Sequence, residues 1–339
     1  MVFFFNIVLT VLTFLAYVLP FLAPKFFPLL SVLTLFLPFF LIINGLFFLY
    51  WLIQFKKQMI ISGFVLLIGI TFINKFYKFS EVNFPENNND FKVMSYNVRL
   101  FNLFHWIDDV NVTQNIREFI NDQNPDILCV QEYSTNANVN LRVYKYQFVL
   151  MLGNKIKTGQ AIFSKFPIVN SGNIVFPKSN NNAVFADIKK GKDTIRVYNI
   201  HLESLKITPD VDEINKGEND IDQQKTWFLL HQISKAFKAQ QLQAELIVKH
   251  KKSCKYPILI CGDMNNSAYS YVYRSIRGTL NDSFEEAGSK FGETYNFKFY
   301  PARIDYIFSD SKIKIKRFTS FSDFKNSDHF PIMTRLEME

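Results

Sequence analysis

Several apolar segments of the sequence each end in, or open on, an acid, an amide or an imidazole. These residues are Asn97, Glu132, His201, Asp263 with Asn265, Asp305, and Asp328 with His329. Carboxylate and amide oxygens are the ligands that hard divalent cations prefer, and a histidine oriented by a carboxylate is an effective general base. A single acid at a strand end is usually a turn or cap residue. Their joint occurrence instead predicts one shared pocket at one rim of packed sheets.

The elements that must position these residues begin at Phe91, where short apolar segments alternate with turn residues. The predicted strands are 91–97, 126–131, 160–164, 183–188, 194–200, 257–261, 304–309 and 330–336. Helical spacing of apolar residues predicts two helices, 111–122 and 223–251. Many strands with few helices indicate an α+β fold in which sheet packs on sheet.

Seven motifs occur in an order that resembles the endonuclease/exonuclease/phosphatase superfamily. They are Ser-Tyr-Asn-Val-Arg, Val-Gln-Glu, Gly-Gln-Ala-Ile-Phe-Ser-Lys-Phe-Pro, Asn-Ile-His-Leu, Gly-Asp-Met-Asn, Arg-Ile-Asp-Tyr-Ile-Phe and Ser-Asp-His-Phe-Pro. They are distributed over the segment 91–336. The resemblance implies a four-layered α/β-sandwich, in which two packed mixed β-sheets are flanked by helices and the site lies at one end. The Asn-Ile-His-Leu motif is similar to the branch of secreted deoxyribonucleases, neutral sphingomyelinases and inositol-polyphosphate phosphatases.

Phosphodiester hydrolysis needs a positioned water, charge stabilisation on phosphoryl oxygens and neutralisation of the leaving oxygen. Glu132 is the predicted metal ligand, with Asn97 adding an amide oxygen or positioning the metal's shell and Asp328 completing or supporting it. Few protein ligands and a largely aqueous shell suit Mg²⁺, with Mn²⁺ or Ca²⁺ as alternatives.

His329 is the predicted general base, with Asp305 fixing its tautomer. Asp263 orients or deprotonates the attacking water, and which of Asp263 and His329 takes the proton stays open. Asn265 is predicted to bind a non-bridging oxygen. His201 donates to the phosphate or protonates the leaving oxygen.

The first 80 residues have a different composition. They contain no Asp, Glu or Arg and only five lysines. Val2–Phe21 and Leu29–Ile53 are long and apolar enough to span a bilayer, and Met59–Ile73 is a shorter third candidate. We therefore predict a transmembrane anchor of two to three helices at 1–79, a linker at 80–90 and a catalytic domain at 91–339. The expected protein is integral to the membrane, with its catalytic domain outside the cytoplasm.

Charge and cysteine content narrow the function classes. Of the net charge of +8, the anchor contributes its five lysines, and the rest of the chain carries 33 basic and 30 acidic residues. This balance is not a nucleic-acid signature. The alternation in Ile313–Lys316 is interpreted as a solvated strand face rather than a phosphate-binding patch. Cys129, Cys254 and Cys261 show neither a disulfide framework nor a zinc pattern.

The favoured function is a membrane-anchored, divalent-metal-dependent phosphoesterase that acts on a lipid head group or another small phosphodiester. One alternative is an endonuclease acting on nucleic acid, which would need Lys and Arg contacts to many phosphates. A second is a non-catalytic membrane scaffold or receptor that retains the fold. The expected partners are the phosphodiester substrate and the lipid bilayer.

Overall fold

The structure is a computed structural model that describes residues 1–137, 139, 141, 143–153, 157–206, 223–298 and 300–339. The described part divides into two compact units. The first comprises residues 1–77, 204–242 and 266–275, and the second comprises residues 78–203, 243–265 and 276–339. The boundaries predicted from the sequence at residues 79 and 91 stay predictions.

The helices of the described residues are α1 (Val2–Val18), α2 (Pro28–Ser31), α3 (Leu37–Ile53), α4 (Met59–Ile73), α5 (Val112–Gln123), α6 (Gln223–Lys252), α7 (Tyr271–Arg277) and α8 (Ser283–Ala287). The strands are β1 (Phe91–Asn97), β2 (Ile127–Tyr133), β3 (Tyr146–Leu152), β4 (Thr158–Ser164), β5 (Ile168–Val175), β6 (Asn182–Lys190), β7 (Asp193–His201), β8 (Ile258–Asp263), β9 (Asn281–Asp282), β10 (Asp305–Ser309), β11 (Ile313–Ser320) and β12 (Ile332–Met338).

The second unit contains two six-stranded sheets. Their strand orders are β11-β12-β1-β2-β4-β3 and β5-β6-β7-β8-β10-β9. The β1–β2 and β7–β8 pairs are parallel, and the other pairs are antiparallel, so both sheets are mixed. Each sheet therefore brings the carboxyl ends of two parallel strands to one edge.

One apolar core lies between the two sheets. Val93 and Cys129 from the first sheet pack in the same cluster as Val197, Leu259 and Cys261 from the second. Burial on this scale is the main stabilising term for such a sandwich. The two buried cysteines behave as small apolar residues here.

Helices cover the outer face of each sheet. Ile116 and Ile120 of α5 pack with Met94 and Leu128 on the face of the first sheet that points away from the core. On the second sheet, Tyr198 points outward, and its hydroxyl bonds Nδ1 of His250 near the end of α6 at 3.0 Å. The predicted fold class, two packed mixed sheets flanked by helices, is confirmed.

One sequence interpretation in this unit is wrong. Lys314 is exposed as expected, but Lys316 is buried, with its Nζ 2.8 Å from Asp90 and 3.4 Å from Glu337. The reason is a register irregularity between Ile315 and Arg317, where β11 departs from regular pairing with β12. A bulge of this kind turns one side chain to the opposite face, so Ile313–Lys316 is not a uniformly solvated face.

The first unit is helical and mostly apolar. By length and composition, Val2–Phe21 and Pro28–Ile53 are each able to cross a membrane, and Met59–Ile73 is a shorter apolar helix. Polar side chains join these helices: Asn6 donates to Ser62 Oγ at 2.8 Å and accepts from Trp51 Nε1 at 2.9 Å. Such bonds hold helices together where the surroundings are apolar.

The same unit includes part of α6. Ile233 and Phe237 of that helix pack against Val32, which lies in the 3₁₀ turn between α2 and α3. Backbone N–H of Lys25 donates to Oε1 of Gln241 at 2.8 Å. The apolar helices at the start of the chain therefore share a core with a helix that follows more than 200 residues later.

Candidate active site

Strand register brings the predicted residues of the second sheet to one rim. Asp263 at the end of β8 is opposite His201 at the end of the parallel strand β7. On its other side, Asp263 is opposite Asp305, the first residue of the antiparallel strand β10. Three adjacent strands thus present an imidazole and two carboxylates in one row.

The first sheet supplies two further residues at its own edge. Asn97 ends β1 and is in register with Gln131 of β2, so Glu132 follows directly beside it. Asn97 Nδ2 donates to Glu132 Oε1 at 3.3 Å and to Asp263 Oδ2 at 3.1 Å. The amide of Asn97 therefore joins the carboxylates of the two sheets.

Unusual backbone conformations occur where these strands end. Glu132 and Asn265 adopt φ values of 49° and 50°, in the left-handed region that costs a non-glycine residue energy. Gly262 has φ of 134°, and a Cβ at this position would lie 2.0 Å from the carbonyl oxygen of Ile200. Only glycine fits there, so Gly262 permits the close approach of β7 and β8 just before Asp263.

His329 is held between two buried carboxylates. Its Nδ1 lies 3.0 Å from Asp305 Oδ2, and its Nε2 lies 3.6 Å from Asp263 Oδ2. The ring centroid of Tyr295 is 4.9 Å from that of His329 in an edge-on arrangement. Asp305 is itself fixed, because its backbone N–H donates to Thr294 Oγ1 at 3.1 Å. The ring of His329 is thus oriented with Nε2 toward the centre of the site.

Asp263 is the centre of the cluster. Its Oδ1 accepts the backbone N–H of Asn265 at 2.7 Å, and its Oδ2 accepts Nδ2 of Asn265 at 3.1 Å. His201 Nε2 lies 3.6 Å from the same Oδ2 and 3.8 Å from Glu132 Oε1. Asn265 also donates to the carbonyl of Leu202 at 3.0 Å, which ties the loop after β8 to β7.

Asp328 lies next to His329 and pairs with Arg99. The Arg99 guanidinium is 3.4 Å from Asp328 Oδ2, and its face lies 4.5 Å from the Trp106 ring centroid. Ser327 Oγ donates to the carbonyl of Asn97 at 2.9 Å. Asp328 is therefore tied, through its neighbour, to the strand end that carries Asn97.

Burial and charge shift the proton equilibria of this cluster. Burial by itself lowers the pKa of His329, but the adjacent carboxylates of Asp305 and Asp263 outweigh it and raise that pKa to about 10. Burial raises the pKa of Asp263 to about 6, against the opposing charge of His329. Burial lowers the pKa of His201 despite the nearby Asp263. At neutral pH the residues alone thus hold a charged His329 and a neutral His201.

Glu132 has a raised pKa for related reasons. Burial raises the pKa of Glu132 most, and the charge of Asp328 raises it further, while His329, Asn97 and Arg99 lower it. The site thus gathers four carboxylates against one imidazolium and one guanidinium. An anionic phosphate would meet net repulsion there, so this donor set fits a divalent cation, which both the carboxylates and the phosphate attract.

The residues that could bind such a cation form two neighbouring groups. Ligand atoms of Asp263, Asp305 and His329 lie within 4.8 Å of one another. The predicted ligands Glu132, Asn97 and Asp328 lie beside this group. In the present orientation Asn97 turns its N–H₂ toward Glu132 and its oxygen toward the backbone N–H of Arg99, at 3.1 Å. Asn97 thus positions Glu132, and offering its oxygen to a cation requires the amide to turn over.

All eight residues singled out from the sequence lie in this one cluster of the second unit. Sequence reasoning missed the residues that support them. Arg99, Ser327 and Gly262 are inside the motifs, where adjacency to Asn97, Asp328 and Asp263 was the available signal. Thr294 and Tyr295 lie outside every motif, and no sequence signal marked them.

A second group of motif residues lies beneath the site and is structural. Gln131 Nε2 donates to Asn199 Oδ1 at 2.6 Å and to Ser95 Oγ at 3.1 Å. Asn199 Nδ2 in turn donates to the carbonyls of Val130 and Ala161 at 2.8 and 3.0 Å. This buried network connects the two sheets directly behind the pocket.

Gln160, the second residue of the third motif, is buried and donates to Asn182 Oδ1 at 2.9 Å. Its role in this structure is to join β4 to the start of β6.

The fold and this cluster define a phosphoesterase-like protein of the DNase I type, and the sequence comparisons agree. Residues 94–329 match the model of the endonuclease/exonuclease/phosphatase family, and residues 1–76 match a domain of unknown function (DUF8431). The chain belongs to the endonuclease/exonuclease/phosphatase family. Members of this family generally hydrolyse phosphoester bonds and usually use a divalent metal. No curated protein matches the sequence at a significant level.

Solved structures share the fold at low sequence identity. The catalytic domain of human Nocturnin with bound sulfate has a TM-score of 0.55 at 17% identity, covering 78% of this chain and 98% of that one. D. rerio TDP2 complexed with single-strand DNA product has 0.53 at 14%, covering 74% and 100%. A mannosyl-6-phosphatase of Bacteroides thetaiotaomicron has 0.53 at 18%, covering 73% and 99%. Similarity at this level supports the fold alone.

Proposed function

We propose that the protein is a membrane-anchored, divalent-metal-dependent phosphodiesterase that acts on a lipid head group or another small phosphodiester. The single observation that supports this function is the contact of His329 with both Asp305 and Asp263. Glu132 and His201 lie beside these three residues. Two carboxylates flank one imidazole, with its Nε2 directed to the point where the other groups converge. This arrangement suits proton transfer at an attacking water.

The roles follow from the geometry of the chain's own atoms. Asp305 accepts from His329 Nδ1 and so keeps the imidazole in one orientation. Asp263 accepts the proton that leaves the attacking water, because its pKa of about 6 leaves it ionised at pH 7, whereas His329, with a pKa of about 10, already carries its proton. Charged His329 then faces the phosphoryl oxygens.

Two further side chains would meet the phosphate. Asn265 carries neutral N–H donors beside Asp263, suited to a non-bridging oxygen as charge develops on it. His201 has a lowered pKa because it is buried, so its neutral form prevails at pH 7 and its Nε2 can hydrogen-bond the leaving oxygen. A partly buried pocket strengthens each of these interactions by excluding water.

A divalent cation, for which Mg²⁺ is the first choice, would be held by Glu132 with support from Asn97 and Asp328. Bound there, it would polarise a phosphoryl oxygen as a Lewis acid. The surplus of carboxylates described above is the structural reason to expect it. Glu132 is also restrained by Asn97, which keeps one of its oxygens in place.

The helices of the first unit support membrane anchorage. In the most apolar stretch of each of the two long segments, Val2–Phe21 and Pro28–Ile53, 28% is buried. Phe4, Leu46 and Leu67 are each more than 60% exposed, and a water-soluble helical core would cover such side chains. We propose that α1, α2–α3 and α4 form the anchor.

The proposed topology puts the chain after Ile73 outside the cytoplasm and the loop carrying Lys56 and Lys57 inside. Lys25, Lys75 and Lys78 then lie outside, so the positive-inside tendency roughly cancels between the two orientations. A phosphatase reporter fused after Glu339 tests this. Reporter activity supports the proposal, and an inactive, cytoplasmic reporter overturns the sidedness.

Anchorage favours a lipid substrate by proximity, and the surface gives little support for nucleic acid. Lys316, one of the basic residues that would form a phosphate-binding strip, is buried and paired with Asp90. Duplex binding needs many exposed cations on one surface.

The deciding experiment incubates the purified full-length chain with Mg²⁺ and three substrates: sphingomyelin vesicles, phosphoinositide vesicles and plasmid DNA. We expect head-group release from vesicles and no nicking. Nicking of plasmid alone makes the protein an endonuclease. Inactivity on all three, and on an aryl phosphodiester, indicates a non-catalytic scaffold.

A further inference from the structure

We propose that the groove between α3 and α4 is a binding site for one acyl chain of an anionic phospholipid. The groove has a volume of about 500 Å³, within the range of small-molecule sites. It lies wholly within the first unit. This inference rests on the proposed membrane anchorage but not on catalysis.

The groove's lining fits hydrocarbon. Leu41 and Ile42 form one wall, Leu67 and Ile70 form the other, and the single polar side chain among the lining residues is that of Tyr269. Ile42, Leu67 and Ile70 are 58%, 64% and 59% exposed, so their apolar surface needs a cover. An acyl chain covers it without leaving a polar group unbonded.

Glycines set the depth of the groove. At Gly63 a Cβ would lie 3.2 Å from the Phe48 ring, and at Gly69 it would lie 2.6 Å from Leu41. Both glycines are part of the lining. Side chains at these two positions would push the walls apart or fill the space between them, so their absence keeps the groove open.

The length of the groove matches one leaflet. From Gly63 to Ile73 the lining follows α4 over eleven residues, whose ten helical steps correspond to about 15 Å of helix. The hydrocarbon core of a bilayer is about 30 Å thick, so each leaflet provides about 15 Å. One chain of a phospholipid therefore fits lengthwise.

Charge marks the head-group end. Lys75 follows the last turn of α4, and its Nζ donates to the carbonyl of Ala268 at 3.4 Å, next to Tyr269 of the groove lining. The same Nζ lies 4.3 Å from the Tyr273 ring centroid. A cation beside the leaflet surface attracts an anionic head group. Tyr269 and Lys75 thus lie where the head-group phosphate is expected when the acyl chain fills the groove.

The test uses the full-length chain reconstituted in phosphatidylcholine vesicles with a small fraction of phosphatidylglycerol that carries a diazirine on one acyl chain. Illumination is carried out in chelator, so that hydrolysis plays no part, and adducts are mapped by peptide mass spectrometry. We expect adducts concentrated on α3 and α4. Ile70→Trp fills the groove and lowers this labelling roughly tenfold, the effect of losing about two buried methylene contacts.

Matched variants make the test specific. Leu67→Trp fills the groove at a neighbouring turn and should act like Ile70→Trp, whereas Val11→Trp, on the exposed face of α1, should leave labelling unchanged. Lys75→Gln should lower labelling by phosphatidylglycerol, and Lys57→Gln, at the other end of the helices, should not.

Labelling spread equally over α1 and α4, or unchanged in both groove variants, overturns the proposal. So does cross-linking of α3 or α4 to a second copy of the chain, which would make the groove a dimer interface. Extraction of the chain by alkaline carbonate would sink the anchorage on which the proposal rests. Loss of hydrolysis with normal labelling leaves the groove site standing and removes only the catalytic proposal.

Discussion

Gln131 and Asn199 hold the two sheets together directly behind the active site, with Gln131 Nε2 donating to Asn199 Oδ1 at 2.6 Å. Gln131 precedes Glu132, and Asn199 lies two residues before His201. Two active-site residues, Glu132 and His201, therefore lie one and two positions after the residues that connect the two sheets.

Replacing Asn199 by Ala should destabilise the protein strongly. The change removes donors to the carbonyls of Val130 and Ala161 and removes the nearest acceptor of the fully buried Gln131 amide. Each such group costs about 1–3 kcal/mol, so we expect a loss of about 3 kcal/mol in the free energy of unfolding. Denaturant titration measures it. Asn173→Ala, on the exposed strand β5, serves as the control, and equal effects of both changes would contradict the role of the network.

A pair of glycine variants tests the backbone at the site. Gly262→Ala puts a Cβ 2.0 Å from the Ile200 carbonyl at φ of 134°, so β7 and β8 must separate and Asp263 must move. Gly191 also has a positive φ, but a Cβ there meets open space. We expect Gly191→Ala to cost about 1 kcal/mol and Gly262→Ala clearly more. Thermal unfolding compares them. A similar loss for both would show that the close approach at Gly262 is unimportant.

The charged His329 should leave a signature in the pH dependence of stability in chelator. Folding raises the pKa of His329 from 6.5 to about 10 through Asp305 and Asp263, against the effect of burial. Its stabilising contribution is therefore complete below pH 6.5 and is lost as the pH rises to about 10. The difference in unfolding free energy between wild type and His329→Gln should shrink across that window.

Asp263, with its own pKa raised to about 6, titrates mainly below this window and does not mimic the effect. Asp328 and His201 also face the cluster, and the paired comparison cancels most of their contribution. A difference that stays constant from pH 6.5 to 10 would show that His329 does not gain its proton from this environment.

Asp305→Asn tests orientation rather than charge alone. The amide keeps the size of the carboxylate but no longer holds His329 Nδ1 as a charged acceptor, so the imidazole loses its preferred tautomer and its raised pKa. We expect kcat to fall roughly 100-fold, with little change in KM. The pKa of His329, followed by NMR, should drop together with kcat. Asp193→Asn, at the first residue of β7, is the control, and an active Asp305→Asn enzyme would remove Asp305 from the mechanism.

The sequence predicted the strands that carry the site but not the strands at the sheet edges. β3, β5, β9 and β11 are the outer strands of the two sheets, and none was among the predicted strands, although the alternation at Ile313–Lys316 pointed to the start of β11. An edge strand pairs on one side only and can carry fewer apolar residues, although β3, with Phe148, Val149 and Leu150, is apolar and was missed as well. β5, with Asn170, Ser171, Gly172 and Asn173, shows this clearly.

The candidate site was predictable because its residues lie at strand ends inside ordered motifs. The apolar helices at the start of the chain were predictable from composition alone, whereas α7 was not predicted. What local patterns could not predict was long-range packing, such as that of Phe237 against Val32, because those contacts join segments about 200 residues apart. Thr294 and Tyr295 were missed for the same reason, because each matters only through its contact with Asp305 or His329.

Hydrolysis of bis(4-nitrophenyl) phosphate by the purified full-length chain tests the central claim most directly. We predict turnover that requires Mg²⁺, stops in chelator, and falls at least roughly 100-fold in His329→Ala. His231→Ala, exposed on α6, should retain wild-type activity. Turnover that persists in chelator, or that survives His329→Ala, would contradict the account.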